Sequence, residues 1–359
     1  MPLSRGRLIT IGVIVVVLLG LVFLRGPTPH IAIKPETLTS IGPFDLTNTV
    51  LTSWIVVLTI IVTVYFGTRR RDLVPRGFQN VFEAAIEAFY GLVVSVAGEK
   101  NGRRFFPVVA TIFFFVLASN WLSLLPVFNS IGLVKEQEHG FVMEKTEVGS
   151  LSVGYVSLSS PSDLRLTGGG SIDEDDPDAA AQYEKAKEDG KLVGELLPLL
   201  RGPNTDINTP LALAIVSAIA VESWGIASLG LGYGKKFFNF GPFLRGLFRL
   251  KVGEMLQGML DAFVGIIELV SELARLVSFT FRLFGNMFAG EVVILIFTFL
   301  TPLVVGVVFY GLELFIGVVQ AFIFALLTLV FGALAVAEHA GHEAHEGNAA
   351  TAELQESKA

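Results

Sequence analysis

Long apolar runs separated by short polar segments dominate the first two thirds of the chain. Leu8–Leu24, Thr49–Phe66 and Phe105–Phe128 contain no charged residue, and Pro210–Tyr233 contains only Glu222. An α-helix of about 20 apolar residues crosses the roughly 30 Å hydrocarbon layer of a bilayer. The pattern therefore predicts a membrane-spanning helix in each run, and the run that begins at Leu8 is near the lower limit of length.

The C-terminal third holds two longer apolar stretches, Met255–Leu300 and Leu303–Ala337, which Thr301 and Pro302 divide. A helix over the first stretch would be about 69 Å long at 1.5 Å per residue. That is more than twice the roughly 30 Å hydrocarbon layer. Such a helix must be steeply tilted, broken or partly interfacial, and we expect a long, inclined helical hairpin over residues 255–337.

Phe78–Gly98 has a different pattern, in which charged and apolar residues recur with helical spacing. Glu83 and Glu87 are four residues apart and therefore lie on one face of a helix. The apolar residues beside them are Val81, Phe82, Ile86, Phe89 and Tyr90. The segment predicts an amphipathic helix that lies along the membrane interface instead of crossing the membrane.

The composition supports a membrane protein. Of the 359 residues, 52% are hydrophobic and 16% are charged, whereas soluble domains carry about 25% charged residues. The predicted fold class is an all-α integral membrane protein with about five to six membrane helices, including the long hairpin, and one interfacial helix. The chain has no cysteine, which excludes disulfides, thiolate metal sites and cysteine nucleophiles. We expect neither a cofactor nor a bound metal.

The distribution of charge predicts the orientation of the chain. Residues 136–190 hold thirteen Asp or Glu against four Lys or Arg, a balance of −9 in a chain whose net charge is −7. Lys and Arg favour the cytoplasmic side of a membrane. Six crossings place every basic cluster inside, the acidic segment outside and both termini in the cytoplasm. The clustered basic residues are Arg69, Arg70, Arg71, Arg76, Lys100, Arg103, Arg104, Lys235, Lys236, Arg245, Arg249 and Lys251.

These patterns divide the chain into segments. Residues 1–30 are an N-terminal anchor helix or a cleaved signal peptide, and the absence of a small-x-small cleavage site favours the anchor. Residues 44–135 and 206–337 form the membrane body. Residues 136–205 are an acidic, extracytoplasmic insertion, whose many like charges predict a flexible, solvated loop. Residues 338–359 are a mobile polar tail.

One arginine, Arg282, lies within the apolar run of the first arm of the hairpin. A fixed charge inside a bilayer costs roughly 2.5 to 3.5 kcal/mol on insertion scales, so it is retained where it has a task. No residue three or four positions away is a carboxylate, so its counter-ion must come from another helix or another chain. The polar residues that form one helical stripe with it are Gln257, Asp261, Glu268, Ser271, Arg275, Ser278 and Asn286.

The second arm brings further polar side chains to this stripe. If the arms fold back tightly at residues 301–302, Glu291 lies opposite the region of Glu313. Arg282 then lies opposite the region of Gln320, which shares a helix face with Glu313 because the two are seven residues apart. Two buried carboxylates close together do not both ionise readily, so we expect the glutamate pair to share and pass protons near neutral pH.

Three motifs resemble subunit a of the rotary F-type ATP synthase. The most specific is F-R-L-F-G-N-M-F-A-G-E at 281–291, which is followed downstream by V-V-Q-A-F-I-F. S-N-W-L-S-L-L-P at 119–126 and T-D-I-N-T-P-L-A-L-A at 205–214 are similar to earlier helices of that family. The resemblance covers nearly all of 44–337 apart from the acidic insertion.

The resemblance implies a stator channel subunit of a bacterial rotary ATP synthase, in the plasma membrane and without a catalytic site of its own. It would form two ion half-channels against a ring of c subunits and couple proton translocation to rotation. Its other partners would be the peripheral-stalk subunit b, the rest of the complex and membrane lipid, with no nucleic acid. The choice between H⁺ and Na⁺ depends on residues of another chain.

The resemblance also implies roles for particular residues. Arg282 would face the ring, with Asn286 and Gln320 lining its surroundings. Position 313 carries Glu where some relatives carry His, so histidine is not needed for transfer here. The remaining implied residues are Glu291 and Glu313 in the outer half-channel, and Glu268 and Ser278 in the exit toward the cytoplasm.

Two other functions fit an intramembrane charge. A secondary transporter would use Arg282 to hold an anionic substrate, but it predicts an internal repeat, and the sequence shows none between its halves. A passive structural subunit predicts that proton flux is indifferent to Glu291→Gln or Glu313→Gln. Arg275 fits a structural role, because Glu272 lies three residues away.

Two further polar patterns have structural explanations. His339, His342 and His345 have a spacing that metal sites use, but interspersed glutamates and the terminal position favour a solvated tail. Asp173–Asp178 is acidic, but it lacks the glycine and the terminal glutamate of a calcium-binding loop.

Overall fold

A computed structural model describes residues 12, 31, 33–42, 44–69, 77–125, 128, 131–148, 151–155, 171–172, 178–230, 233, 252–300 and 305–337. In chain order its elements are β1 Thr37–Ile41, β2 Phe44–Thr47, α1 Asn48–Thr68, α2 Phe78–Ser123, β3 Ile131–Val148, β4 Leu151–Tyr155, β5 Ser171–Ile172, α3 Ala179–Glu188, β6 Leu192–Pro198, a 3₁₀ turn Pro203–Thr205, α4 Asn208–Leu229, α5 Val252–Leu300 and α6 Val305–Ala337.

Helix boundaries follow the apolar runs of the sequence closely. Among the described residues, α1, α2, α4 and α6 are long and apolar enough to cross a membrane. The predicted fold class, an all-α integral membrane protein, is confirmed. Within the part of the chain that the structure describes, the strands lie before α1 and between α2 and α4. Several predicted features lie outside the described residues: Leu8–Leu24 apart from Gly12, Asp173–Pro177, the basic cluster at 235–251, the side chain of Gln257, Thr301–Pro302 and the histidine tail.

α2 combines the predicted interfacial helix and the span that follows it, with a break between them. Gly98 has φ 74° and ψ 166°, a conformation with positive φ that glycine adopts without a steric penalty. On either side of the break the two parts pack together, since the rings of Phe89 and Phe113 stack at 4.5 Å. Glu83 and Glu87 are exposed, as an amphipathic helix requires. Its position at the membrane interface stays a prediction.

The chain forms two compact units. Unit 1 consists of residues 1–61, 115–206 and 284–320, and unit 2 consists of residues 62–114, 207–283 and 321–359. The divisions fall within α1, α2, α5 and α6, so each of these helices contributes residues to both units.

The core of unit 2 is built where α2, α4 and α6 meet. The Phe105 ring stacks on Trp224 at 4.2 Å, and Leu329 from α6 belongs to the same buried cluster. Close approach of α4 and α6 depends on Gly332, because a Cβ at that position would overlap the Trp224 indole. A buried hydrogen bond of 2.7 Å between Ser217 and Thr328 joins the same two helices.

Unit 1 contains the acidic insertion, in which the structure places regular elements that the sequence analysis does not predict. β3 pairs antiparallel with β4, β5 and β6. Ile172, Ala186 and Val193 are buried together and form a small core between the sheet and α3. The expectation of a loop misses these elements because the apolar residues are scattered among charges and come together only through strands distant in sequence. The flexibility of the insertion stays a prediction.

Candidate functional site

α5 and α6 run back along each other in the register that the sequence predicts. In unit 1 Gly290 lies against the Glu313 side chain. In unit 2 the rings of Phe279 and Phe324 lie 5.1 Å apart. Both pairs are symmetric about the 301–302 boundary, so the predicted fold-back is confirmed within each unit.

Glu313 occupies a position set by the backbone of α5. A Cβ built on Gly290 would overlap the Glu313 carboxylate, so the absence of a side chain at 290 makes room for this group. Glu313 is 9% exposed. Among the described residues, none forms a hydrogen bond or an ion pair with it. The Glu313 carboxyl group therefore lies buried against Gly290, the residue that precedes Glu291 in α5.

Glu291 has a partner that the sequence analysis does not identify, Arg201. The guanidinium Nη2 donates to Glu291 Oε2 at 3.1 Å, and the two side chains are 6% and 12% exposed. Arg201 Nη1 also donates to the carbonyl of Lys34 at 3.3 Å, and its backbone N–H donates to Thr52 Oγ1 at 3.3 Å. One arginine therefore links α5, α1 and the segment before β1.

A signal for Arg201 exists in the sequence. It stands alone in L-L-P-L-L-R-G-P at 196–203, on the side of the membrane that the charge distribution assigns to the outside. A lone arginine there departs from the preference of basic residues for the cytoplasmic side. This position between apolar residues is the feature that could have drawn attention to Arg201, although it does not identify a partner.

Other buried polar residues of unit 1 join the same helices. Asn204 donates to Asn120 Oδ1 at 2.7 Å, and Asn120 donates to the carbonyl of Gly317 at 3.2 Å. Thr49 donates to Asp206 Oδ2 at 3.0 Å. Buried polar groups are costly unless hydrogen-bonded, so this set fixes α1, α2 and α6 around the loop that carries Arg201.

Asn286 and Gln320, which the resemblance expects in the surroundings of Arg282, are hydrogen-bonded to each other. Asn286 Nδ2 donates to Gln320 Oε1 at 2.7 Å. Gln320 is 2% exposed, whereas Asn286 is exposed. The hydrogen bond thus ties an exposed amide on α5 to a buried amide on α6.

Arg282 belongs to unit 2 and is exposed. Its Nη2 lies 3.4 Å from Ser278 Oγ, and no carboxylate of the described residues forms an ion pair with it. The apolar side chains beside it, Val277 and Phe281, are 55% and 56% exposed. Glu222, the charged residue of the run 210–233, forms no ion pair with Arg282 and lines a cavity elsewhere in the unit.

That cavity has a volume of about 310 Å³ and also contains Glu268. Glu222 comes from α4, whereas Glu268 and Glu272 come from α5 together with Arg275. The Arg275 guanidinium lies 3.8 Å from the centre of the Phe331 ring, a cation–π contact that supports a structural role for it. Ser278 is not among the lining residues. Among the described residues no group of His, Cys, Asp or Glu has the arrangement of a metal site.

Long apolar helices that hold ionisable side chains between them define the class: this is a multi-pass, α-helical membrane protein. A sequence profile of the ATP synthase A chain family matches residues 50–333, and the chain belongs to that family. It is therefore a component of the ATP synthase complex, in its membrane sector.

Individual relatives agree with the profile. The ATP synthase subunit a of Moorella thermoacetica is 27% identical over 300 residues, which cover 83% of this chain and 95% of the relative. The ATP synthase subunit a of Gloeobacter violaceus is 28% identical over 303 residues, which cover 84% of this chain and 89% of the relative. Both likenesses cover more than four fifths of this chain, at 83% and 84%.

Proposed function

We propose that the chain is the stator subunit that forms two ion half-channels against a ring of c subunits and couples proton translocation to rotation for ATP synthesis. The observation that carries the proposal is the exposed guanidinium of Arg282, with which no described carboxylate pairs. Arginine cannot escape burial by losing its proton, and a cation facing lipid is costly. A partner that presents carboxylates to this surface removes that cost.

On the outer side, protons enter through the region of Glu291 and Glu313 and neutralise a carboxylate of the ring. The neutral carboxylate can then move into lipid, because the cost of burying it is far lower than that of its charged form. Asn286 and Gln320 line the path where the ring passes. Their 2.7 Å hydrogen bond holds both amides in place as the carboxylates move by.

On the inner side, the ring carboxylate releases its proton toward the cytoplasm through Ser278 and Glu268. The cavity at Glu268 supports this route, because about 310 Å³ is room for several water molecules. Arg282 attracts the returning anion and separates the two half-channels, which prevents protons from passing directly between them. Ion flow is thereby tied to rotation.

In this function the chain carries no catalytic site, and its partners are the c-ring, the peripheral-stalk subunit b and the rest of the complex. The proposed location is the bacterial plasma membrane, with both termini in the cytoplasm if the N-terminal helix is retained.

The test is Arg282→Ala in the intact complex, with ATP synthesis measured in inverted membrane vesicles. We expect assembly to persist and coupled synthesis to fall on the order of a hundredfold or more, as when a preorganised charge is removed from a reacting group. The matched control is Arg103→Ala, since Arg103 is 74% exposed and its partners Glu99 and Tyr90 lie on the same helix. An Arg282→Ala complex that makes ATP at the native rate would overturn the proposal.

A further inference from the structure

The two glutamates of the proposed outer half-channel have different surroundings. Glu291 is held in a buried ion pair with Arg201 at 3.1 Å. No described residue pairs with Glu313, which lies against the α5 backbone at Gly290. We infer that Arg201 is a positioning residue that keeps Glu291 as its fixed counter-ion, and that Glu313 alone carries the proton. This inference rests on the proposed function and assigns separate roles within it.

The ion pair opposes protonation of Glu291. Protonating Glu291 would leave the Arg201 guanidinium buried without an anion, which is strongly unfavourable. Arg201 cannot relieve this by losing its own proton. Its bonds to the Lys34 carbonyl and to Thr52 Oγ1 also restrain it from following a moving partner. Glu291 is therefore assigned the role of fixed counter-ion to Arg201.

Glu313 is free of this restraint. A proton from water on the outer side can bind a Glu313 carboxylate oxygen and then transfer to a ring carboxylate, which returns Glu313 to its anionic form. No ion pair with a described residue is broken in either step. Glu313 also shares a face of α6 with Gln320, seven residues away, and Gln320 bonds Asn286 at 2.7 Å. The titratable or charged residues nearest in the chain to the contact of Glu313 with Gly290 are Glu291, which follows Gly290 and pairs with Arg201, and Tyr310, which lies one turn before Glu313 on α6.

The sequence predicts that Glu291 and Glu313 share and pass a proton; the inference instead assigns proton transfer to Glu313 alone. A fixed Arg201–Glu291 pair contributes no net charge. It therefore lines the proposed outer half-channel without competing with Glu313 for the proton. If that is its role, replacing both members by neutral amides removes the charges together and leaves the carrier intact. If Glu291 is itself a carrier, the same double replacement leaves no carboxyl group at 291 to act.

The experiment compares four complexes by ATP-driven proton pumping in inverted vesicles: Arg201→Gln, Glu291→Gln, the double variant and Glu313→Gln. We expect each single change at the pair to lower pumping by about tenfold or more, because one buried charge is left unpaired. The double variant should regain pumping to within about threefold of wild type, as coupled sites do in double-mutant cycles. Glu313→Gln should remain inactive.

The pH profile provides a second readout. The double variant should pump with the same pH midpoint as wild type, because Glu313 is unchanged. A double variant that assembles but does not pump, or that pumps with a displaced midpoint, would overturn the inference. If the double variant does not assemble, Arg201→Lys decides, since it retains the ion pair: retained pumping supports the inference, and an assembled but inactive complex overturns it.

Failure here is distinguishable from failure of the proposed function. Arg282→Ala tests the stator function without touching the Arg201–Glu291 pair. If Arg282→Ala abolishes coupling and the double variant at 201 and 291 stays inactive, only the division of roles between the glutamates is wrong. If Arg282→Ala works at the native rate, the proposed function itself is wrong.

Discussion

Asn286 on α5 donates a hydrogen bond to Gln320 on α6 at 2.7 Å, and only the glutamine is buried. The bond joins the two arms of the hairpin between residues that are 34 positions apart in the chain. Because Asn286 is exposed, its amide can find water when the bond is lost, whereas Gln320 cannot.

Gln320→Leu removes the acceptor while keeping a side chain of similar size. We expect unfolding of the purified complex to become easier by about 0.5 to 1.5 kcal/mol, the usual net contribution of one hydrogen bond, and proton pumping to fall. The unfolding midpoint and vesicle acidification measure the two effects. Asn80→Leu, at an exposed position of α2, is the control and should change neither. Unaltered pumping in Gln320→Leu would argue against a role at the ring.

Gly290→Ala places a methyl group where the Glu313 carboxylate lies. The carboxylate is the far end of a flexible side chain, so it should move aside and the complex should still assemble. We expect proton pumping to fall about tenfold, since small misplacements of a reacting group cost that much or more. Gly91→Ala is the control, because a Cβ there meets nothing within 4 Å. Equal pumping rates in the two variants would contradict the placement of Glu313.

Gly332→Ala tests packing in unit 2. The added Cβ would overlap the Trp224 indole, a rigid group already stacked on Phe105. Overpacking of this kind costs about 1 to 3 kcal/mol, so we expect reduced yield of the assembled complex and a lower unfolding temperature. Gly311→Ala on the same helix has open space around the new Cβ and should be as stable as wild type or slightly more so.

Glu268→Gln tests the inner route. Loss of the carboxyl group should slow proton release through the cavity. Because Glu222 still lines this cavity, we expect a partial loss of about three- to tenfold, below the usual effect of removing a sole acid or base. Coupled ATP synthesis in vesicles measures it. Glu87→Gln makes the same chemical change at an exposed site on α2 and serves as the control. A Glu268→Gln complex as active as the control would remove Glu268 from the path.

The sequence predicts the helices well because their signal is local. The apolar run Thr49–Phe66 corresponds to the helix Asn48–Thr68, and the run Leu303–Ala337 corresponds to the helix Val305–Ala337. The agreement is close because the length of an apolar run sets the length of a membrane helix. Gly98 also ends a helix where the pattern predicts it. The register of the hairpin is predicted from one assumption, a tight reversal of the chain at 301–302. That assumption determines which residue of α6 lies opposite each residue of α5.

What the sequence does not predict depends on distant residues. Arg201 and Glu291 are 90 positions apart, so no helical spacing relates them, and motif comparison centred on Arg282 does not reach the loop before α4. The sheet of the insertion is missed for the same reason. The roles assigned to Arg282, Glu268 and Ser278 stay predictions, because they depend on a ring that belongs to other chains.

Glu313 fills the place that a side chain at position 290 would occupy, so the two positions share one volume. A larger residue at 290 displaces the Glu313 carboxylate from this place unless the residue at 313 is smaller. Revertants selected from Gly290→Ala should therefore carry second-site changes at 313, with aspartate as the simplest compensation that retains an acid. Substitutions at positions 290 and 313 should therefore be coupled during evolution.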